Sequence, residues 1–158
     1  MSYGAPPPGG GSWKQVLLQE LAGTLDLSRI HFVGRVPHPV LHELFRICAC
    51  HVYLTYPFVL SWSLLEAMAC GAVVIGSATA PVQEVIESGR NGLLVDFFDQ
   101  EHLAETIAAV LAEPQRFSGL GPAARQTVVE RYDLATVCLP AQLALVDGLA
   151  AGRLLLLR

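Results

Sequence analysis

Apolar runs and polar, turn-forming stretches alternate regularly through the middle of this chain. Four short apolar runs bounded by glycine, proline or polar residues have the character of parallel strands: 30–34, 51–55, 73–76 and 92–95. The segments after them repeat apolar residues at helical spacing: 39–47, 60–70, 82–87 and 100–112. This alternation predicts an α/β fold in which helices cover both faces of a Rossmann-like parallel sheet.

The two ends of the chain differ from this pattern. Residues 1–12 hold prolines and three consecutive glycines, which favours a flexible arm over a phosphate cradle. Ser12 can cap a helix over 13–25 whose apolar stripe is Val16, Leu17, Leu21 and Leu25. Helices are expected over 115–131 and 134–149, and the leucines 154–157 fit a fraying helix end, a packing strip or a late strand. The predicted domains are the arm 1–12, a Rossmann-like domain 13–132, and a carboxyl-terminal helix and tail 133–158.

The amino-acid composition restricts the kinds of partner that this chain is expected to bind. The 158 residues are 53% hydrophobic and 15% charged, which suffices for one core and suggests faces covered by another domain or subunit. A net charge of -4 without a Lys/Arg cluster argues against nucleic acid. The chain does not start like a signal peptide, and no apolar run approaches the roughly 20 residues of a membrane span. We expect a cytoplasmic protein, with the inner face of the membrane as an alternative placement.

Cysteines and histidines offer no convincing metal motif. Four scattered cysteines in or beside apolar segments suggest free buried thiols in a reducing compartment, and Cys48 and Cys50 lack zinc-site spacing. His38 and His42 stand four residues apart and could bind zinc, but the sequence assigns no acid or third ligand to them. Two exposed helix histidines are therefore favoured, and no metal site is predicted.

Glu66 is a carboxylate in an otherwise apolar helix. A buried charge is costly unless something pairs with it, and a ligand with hydroxyl groups is one candidate. Equally, Glu66 can lie solvated at the rim or cap a neighbouring loop. The preceding loop, 56–61, follows a predicted strand, and Ser61 or Ser63 can cap the next helix, whose positive end suits a phosphate. Any strand-to-helix loop shares that last property.

Several segments resemble one enzyme family in the right order. The resemblance is to the carboxyl-terminal half of family 4 (group 1) retaining glycosyltransferases, and it lies in residues 64–71, 73–75, 80–86 and 91–95. Enzymes of that family have the GT-B architecture of two Rossmann-like halves. The likeness extends from about 30 to 132. It implies that this chain holds a nucleoside-diphosphate sugar as donor substrate and needs no other cofactor.

The resemblance also implies roles for individual residues. Glu66 would bind the ribose hydroxyls, as the second glutamate of a Glu-x7-Glu pair. The diphosphate would lie near the start of that helix, at Ser61, Trp62, Ser63 and Leu65. The base would lie near Gly34, Arg35 and Val36, although Arg35 can equally be a plain surface charge.

The chain departs from the family pattern in the preceding loop, Phe58, Val59 and Leu60. Phe58 occupies the place of the first glutamate, which contacts the donor sugar, and it cannot accept a hydroxyl hydrogen bond. Val59 and Ser61 stand where small or glycine residues are usual. The sugar is therefore expected to be held differently, or activity to be reduced, and no catalytic residue is assigned.

The family's amino-terminal half has no counterpart in this sequence. Neither does the first strand of the donor half, with the Arg/Lys pair that neutralises the diphosphate. We expect a fragment, or a sheet completed by rearrangement, by the leucines 154–157, or by exchange with another chain in a homo-oligomer. The acceptor, a sugar, a lipid or a protein, would bind through the absent half.

Three functions follow. The first is nucleotide-sugar-dependent hexosyl transfer with retention, this chain being the donor-binding half. The alternative is a non-catalytic interaction module or truncated fragment that keeps the fold without activity, which Phe58 would permit. A nucleotide-sugar epimerase is disfavoured, because its acid and base residues are not identifiable here.

Overall fold

The computed structural model describes residues 7–56 and 59–152 of the chain. These form two compact units, Met1–Val36 and Pro37–Arg158. Part of the predicted arm, together with Pro57, Phe58 and the leucines 154–157, lies outside the described residues.

The first unit contains helix α1, Trp13–Glu20, and a single 3-10 turn, Leu27–Arg29. The predicted cap is confirmed: Ser12 Oγ accepts from the Gln15 backbone N–H at 3.3 Å, and Gln15 Oε1 accepts from Ser12 N–H at 2.9 Å. The helix is shorter than the predicted 13–25. None of its residues is buried, so burial does not extend it.

The strand predicted over 30–34 is wrong. No residue of this run pairs with a strand among the described residues, and the side chains of Phe32 and Val33 are 55% and 59% exposed. An apolar run becomes a strand only where a neighbouring strand completes its backbone hydrogen bonds. The Lys14 ammonium instead lies 3.8 Å from the centre of the Phe32 ring.

The second unit contains a parallel sheet of three strands in the order β1-β2-β3. The strands are β1, His51–Tyr53, β2, Val74–Ser77, and β3, Leu93–Val95. In the register, Val52 lies opposite Ile75, and Gly76 lies opposite Leu94. The other three predicted strands are thus confirmed, each one or two residues shorter or shifted.

A helix precedes β1, and helices follow all three strands, as expected of parallel strands joined by crossovers. Their bounds are α2, His38–Ile47, α3, Trp62–Ala69, α4, Ala80–Gln83, α5, Gln100–Ala112, α6, Pro114–Phe117, α7, Leu120–Tyr132, and α8, Leu139–Ala150. A π-helical segment, Leu134–Cys138, joins α7 to α8.

The central strand β2 is buried on both faces. Val74 packs in one cluster with Phe45, Leu64, Met68 and Ala124, which come from α2, α3 and α7. Ile75, the next residue, packs in a second cluster with Val95 and with Val110 of α5. Because successive side chains of a strand point to opposite faces, helices cover both sides of the sheet. The predicted α/β fold is confirmed.

Helix α3 ends where its backbone meets that of α7. Gly71, with a φ of +77°, lets the chain turn into β2, as its position predicts. A Cβ atom at Gly121 would lie 2.2 Å from the Gly71 carbonyl oxygen, so only glycine fits at that point of α7. One turn later, Arg125 donates a hydrogen bond to the Ala69 carbonyl oxygen in the last turn of α3.

One long helical stretch among the described residues has the length and composition of a membrane span. Pro114–Ala150 is 37 residues long, and its most apolar window has a mean hydropathy of 1.3 and is 6% buried. By length and composition it could cross a membrane, which corrects the expectation drawn from uninterrupted apolar runs. Leu120 and Ala124 of this stretch are buried in the second unit.

Gly121→Ala should destabilise the second unit although alanine favours helices by about 1 kcal/mol. Its Cβ would meet the Gly71 carbonyl oxygen, a backbone atom that cannot move aside as a side chain can. We therefore expect the free energy of unfolding, measured in urea, to fall by about 1–3 kcal/mol. Gly119→Ala is the matched control, because a Cβ there meets nothing within 4 Å. Equal stability of the two variants would contradict the close backbone contact.

The protein should become less stable in acid because of His51. Burial lowers the pKa of His51 from its ordinary 6.5, and its Nε2 has no hydrogen-bond partner among the described residues. Below about pH 6.5 the unfolded chain therefore binds more protons at this site than the folded chain. The free energy of unfolding consequently decreases as the pH falls. Unfolding curves between pH 5 and 7.5 should show a weaker decrease for His51→Phe than for the parent. The exposed-site control His102→Gln should keep the parental slope.

Candidate functional site

The loop after β1 leads to the start of α3 at the carboxyl edge of the sheet, where parallel sheets bind ligands. Its first part is fixed to β2, because the fully buried Ser77 hydroxyl donates to the Thr55 carbonyl at 2.8 Å and accepts from Thr55 N–H at 3.0 Å. Its last part is fixed to β1, because Ser61 N–H donates to the Tyr53 hydroxyl at 2.9 Å. Both ends of the loop are therefore positioned by the sheet.

The start of α3 is open to solvent. Ser61 Oγ caps the helix by accepting from Ser63 N–H at 3.3 Å, and the two serine hydroxyls lie 3.0 Å apart. Trp62, the first helical residue, is 83% exposed. The predicted serine cap is confirmed. The exposed hydroxyls and the positive end of the helix dipole are suited to an anion.

Glu66 lies in the second turn of α3, beside residues that are fully buried. Its side chain is 26% exposed, and its Oε1 lies 2.7 Å from Nε2 of His38, the first residue of α2. Glu66 is thus partly exposed, and its carboxylate pairs with a side chain of the neighbouring helix. The carboxylate is oriented by an imidazole from the neighbouring helix.

His38 also contacts His42. Their ring centroids lie 4.3 Å apart, and the planes are inclined by 59°. The expectation of two histidines without an acid is wrong, because packing of α2 against α3 brings Glu66 to them. Sequence reasoning missed this contact, since 28 residues separate the acid from His38.

A groove of about 490 Å³ begins beside Glu66. From α3 it is lined by Trp62, Leu65, Glu66 and Ala69, and from the carboxyl-terminal helices by Val128, Tyr132, Leu134, Cys138 and Gln142. Three predicted site residues therefore share one groove. The carboxyl-terminal lining was not predicted, because these mostly apolar helix residues form no recognisable chemical motif.

The remaining predicted residues divide into three groups. Val59 is exposed, whereas Leu60 packs against the core. Phe58 lies outside the described residues. Gly34, with a φ of +65°, Arg35 and Val36 belong to the first unit.

Three aromatic rings were missed at the same edge of the sheet. Tyr56 follows β1, and Phe97 and Phe98 follow β3. The Tyr56 ring centroid lies 5.2 Å from that of Phe97 and 5.0 Å from that of Phe98. Two of these rings are largely exposed, which makes them available for stacking against a flat ligand.

Residues 9–127 match the model of a protein family described as glycosyl transferases group 1. This chain belongs to that family. The match covers the strands, the loop before α3 and Glu66, so it confirms the predicted group 1 membership. Placement in family 4 stays a prediction.

The relatives of this group 1 chain are longer than it is. An alpha-maltose-1-phosphate synthase of Mycolicibacterium smegmatis is 38% identical over 79 residues, which are 46% of this chain and 20% of that enzyme. A sucrose-phosphate synthase from Thermosynechococcus elongatus is 30% identical with a TM-score of 0.73, over 87% of this chain and 34% of that one.

A second solved structure supports the fold. Anabaena HepE in complex with UDP-glucose has a TM-score of 0.75 at 22% identity, over 85% of this chain and 37% of that one. The group 1 chain thus spans a fifth of the curated relative and about a third of the two solved proteins. The predicted Rossmann-like fold of the GT-B glycosyltransferases is confirmed.

Tyr53→Phe should loosen the loop before α3. The change removes the hydroxyl that accepts the hydrogen bond from the Ser61 N–H. We expect the free energy of unfolding, measured in urea, to fall by about 1 kcal/mol. Faster amide hydrogen exchange at Ser61 should accompany it. Tyr132→Phe is the control, because no hydrogen bond of the Tyr132 hydroxyl occurs within the described chain. Unchanged exchange at Ser61 would show that Tyr53 does not hold the loop.

Proposed function

We propose that this chain is the donor-binding half of a retaining glycosyltransferase that transfers a hexose from a nucleoside-diphosphate sugar. The observation that carries the proposal is the position of Glu66, half-buried one turn behind the open start of α3 in a group 1 domain. The UDP-glucose complex of HepE supports a nucleotide sugar as the donor.

The start of α3 and Glu66 receive different parts of the donor. The diphosphate lies against the first N–H groups of α3 and the hydroxyls of Ser61 and Ser63. Glu66 accepts hydrogen bonds from the ribose hydroxyls. Since Oε1 is engaged by His38, Oε2 is the oxygen oriented for this task.

The hexose and the acceptor depend on groups beyond these. Phe58 gives the sugar no hydrogen bond, so contacts to it come from backbone groups or from the other half of the enzyme. The acceptor, a sugar, a lipid or a protein, binds through that amino-terminal half. In this proposal the nucleotide sugar is the donor substrate, and no other cofactor is assigned to the chain.

The four free, half-buried cysteines support a reducing compartment, and we propose a cytoplasmic location. The exposed apolar surface is covered in one of two ways. A second copy of the chain completes the sheet, or the rest of a longer parent protein packs against it.

One observation favours a second function. Phe58 replaces the glutamate that the resemblance leads us to expect against the donor sugar. A non-catalytic interaction module would tolerate this change, whereas an active transferase must compensate for it.

Calorimetric titration with uridine and guanosine diphosphates, in EDTA-containing buffer, separates the two functions. A donor-binding half should bind one of them, and Glu66→Gln should weaken that binding about tenfold to hundredfold, as expected for loss of a charged hydrogen bond. Glu105→Gln, at an exposed helical glutamate, should leave the affinity unchanged.

Absence of binding by both nucleotides would favour the interaction module. Binding that Glu66→Gln leaves intact would overturn the role of Glu66 while keeping the nucleotide site.

A further inference from the structure

The packing of α2 places two imidazoles next to α3. Leu41 and Phe45 of α2, together with Cys48 just after it, are spaced by four and three residues and pack into the core on one side. His38 and His42 each precede one of these core residues by three positions, so they lie along the flank of that stripe. Their rings lie one turn apart and are tilted, with centroids separated by 4.3 Å and planes inclined by 59°.

Glu66 completes a group of three ligand atoms. The His38 and His42 ring nitrogens and a Glu66 carboxylate oxygen all lie within 4.8 Å of one another. The closest pair, His38 Nε2 and Glu66 Oε1, is 2.7 Å apart. His42 makes no hydrogen bond with the described residues, so one ring nitrogen next to the carboxylate lacks a partner.

We propose that His38, His42 and Glu66 form a binding site for a divalent cation of the zinc class. Two imidazoles and one carboxylate are a donor set that zinc accepts, with water in the fourth position. Glu66 is shared with the donor site proposed above, so the ion and the ribose would compete for its carboxylate.

The geometry requires only small side-chain movements. Bonds of about 2.0–2.2 Å around a tetrahedral ion hold ligand atoms roughly 3.4 Å apart. The present separations bracket that value, from 2.7 Å to at most 4.8 Å. His38 is 61% exposed and can turn without disturbing the core, and its exposure leaves the fourth position open to water.

The cysteines do not compete well for the ion. Burial raises the pKa of the Cys48 and Cys50 thiols, which keeps them protonated at neutral pH, and only a thiolate binds zinc strongly. None of the four cysteines belongs to the ligand group found among the described residues.

Metal titration without nucleotide tests the site. The full chain, stripped with EDTA and dialysed at pH 7.5, is titrated with Co²⁺ followed by absorption and with Zn²⁺ followed by calorimetry. We expect one ion per chain, visible Co²⁺ bands without a near-ultraviolet thiolate band, and displacement of Co²⁺ by Zn²⁺.

Two ligand variants and two matched controls assign the residues. His42→Ala and Glu66→Gln should each weaken Zn²⁺ binding at least about tenfold, since loss of even an outer partner costs that much. The exposed-residue variants His102→Ala and Glu105→Gln should bind like the parent. Should His42→Ala fail to fold by circular dichroism, His42→Gln takes its place.

The proposal is overturned by absence of Zn²⁺ binding, by a thiolate band, or by unchanged affinity in the ligand variants. In that case His38 and Glu66 form a hydrogen-bonded pair only. The nucleotide titration contains EDTA and the metal titration contains no nucleotide, so each hypothesis can fail without the other.

Discussion

Burial of β2 on both faces is the constraint from which the rest of the second unit follows. Val74 and Ile75 point in opposite directions, and each is fully buried in its own cluster. Two fully buried neighbours require a helical layer on each side of the sheet. The layer containing α3 thereby acquires a fixed distance and direction relative to the carboxyl edge, where the functional groups lie.

Helix α3 combines core packing and chemistry within eight residues. Leu64, Ala67 and Met68 are fully buried and hold the helix in place. Glu66 lies between them in sequence but on another side of the helix, where α2 approaches. The carboxylate is therefore as well positioned as the core residues around it, while remaining accessible to a ligand.

The fold was largely predictable from local patterns, whereas the site was only partly so. The run 73–76, the serine before α3 and Gly71 each carry a signal within a few residues, and all three predictions are confirmed. The strand at 30–34 failed because pairing depends on a distant partner that the run itself does not reveal. The same reason hid the contact of His38 with Glu66, which arises only when two helices pack. The groove lining from α7, the π-helical segment and α8 had no signal, since mostly apolar helix residues look alike whether they line a groove or a core.

The glycine contact between α3 and α7 has a consequence for how this domain tolerates change. At Gly71 and Gly121 the two backbones touch without intervening side chains. The spacing of the helices at this contact is thus set by backbone atoms, whose size no substitution alters. Residues on the outer surface of α7 can vary, or be redesigned for solubility or labelling, without shifting the acidic group on α3.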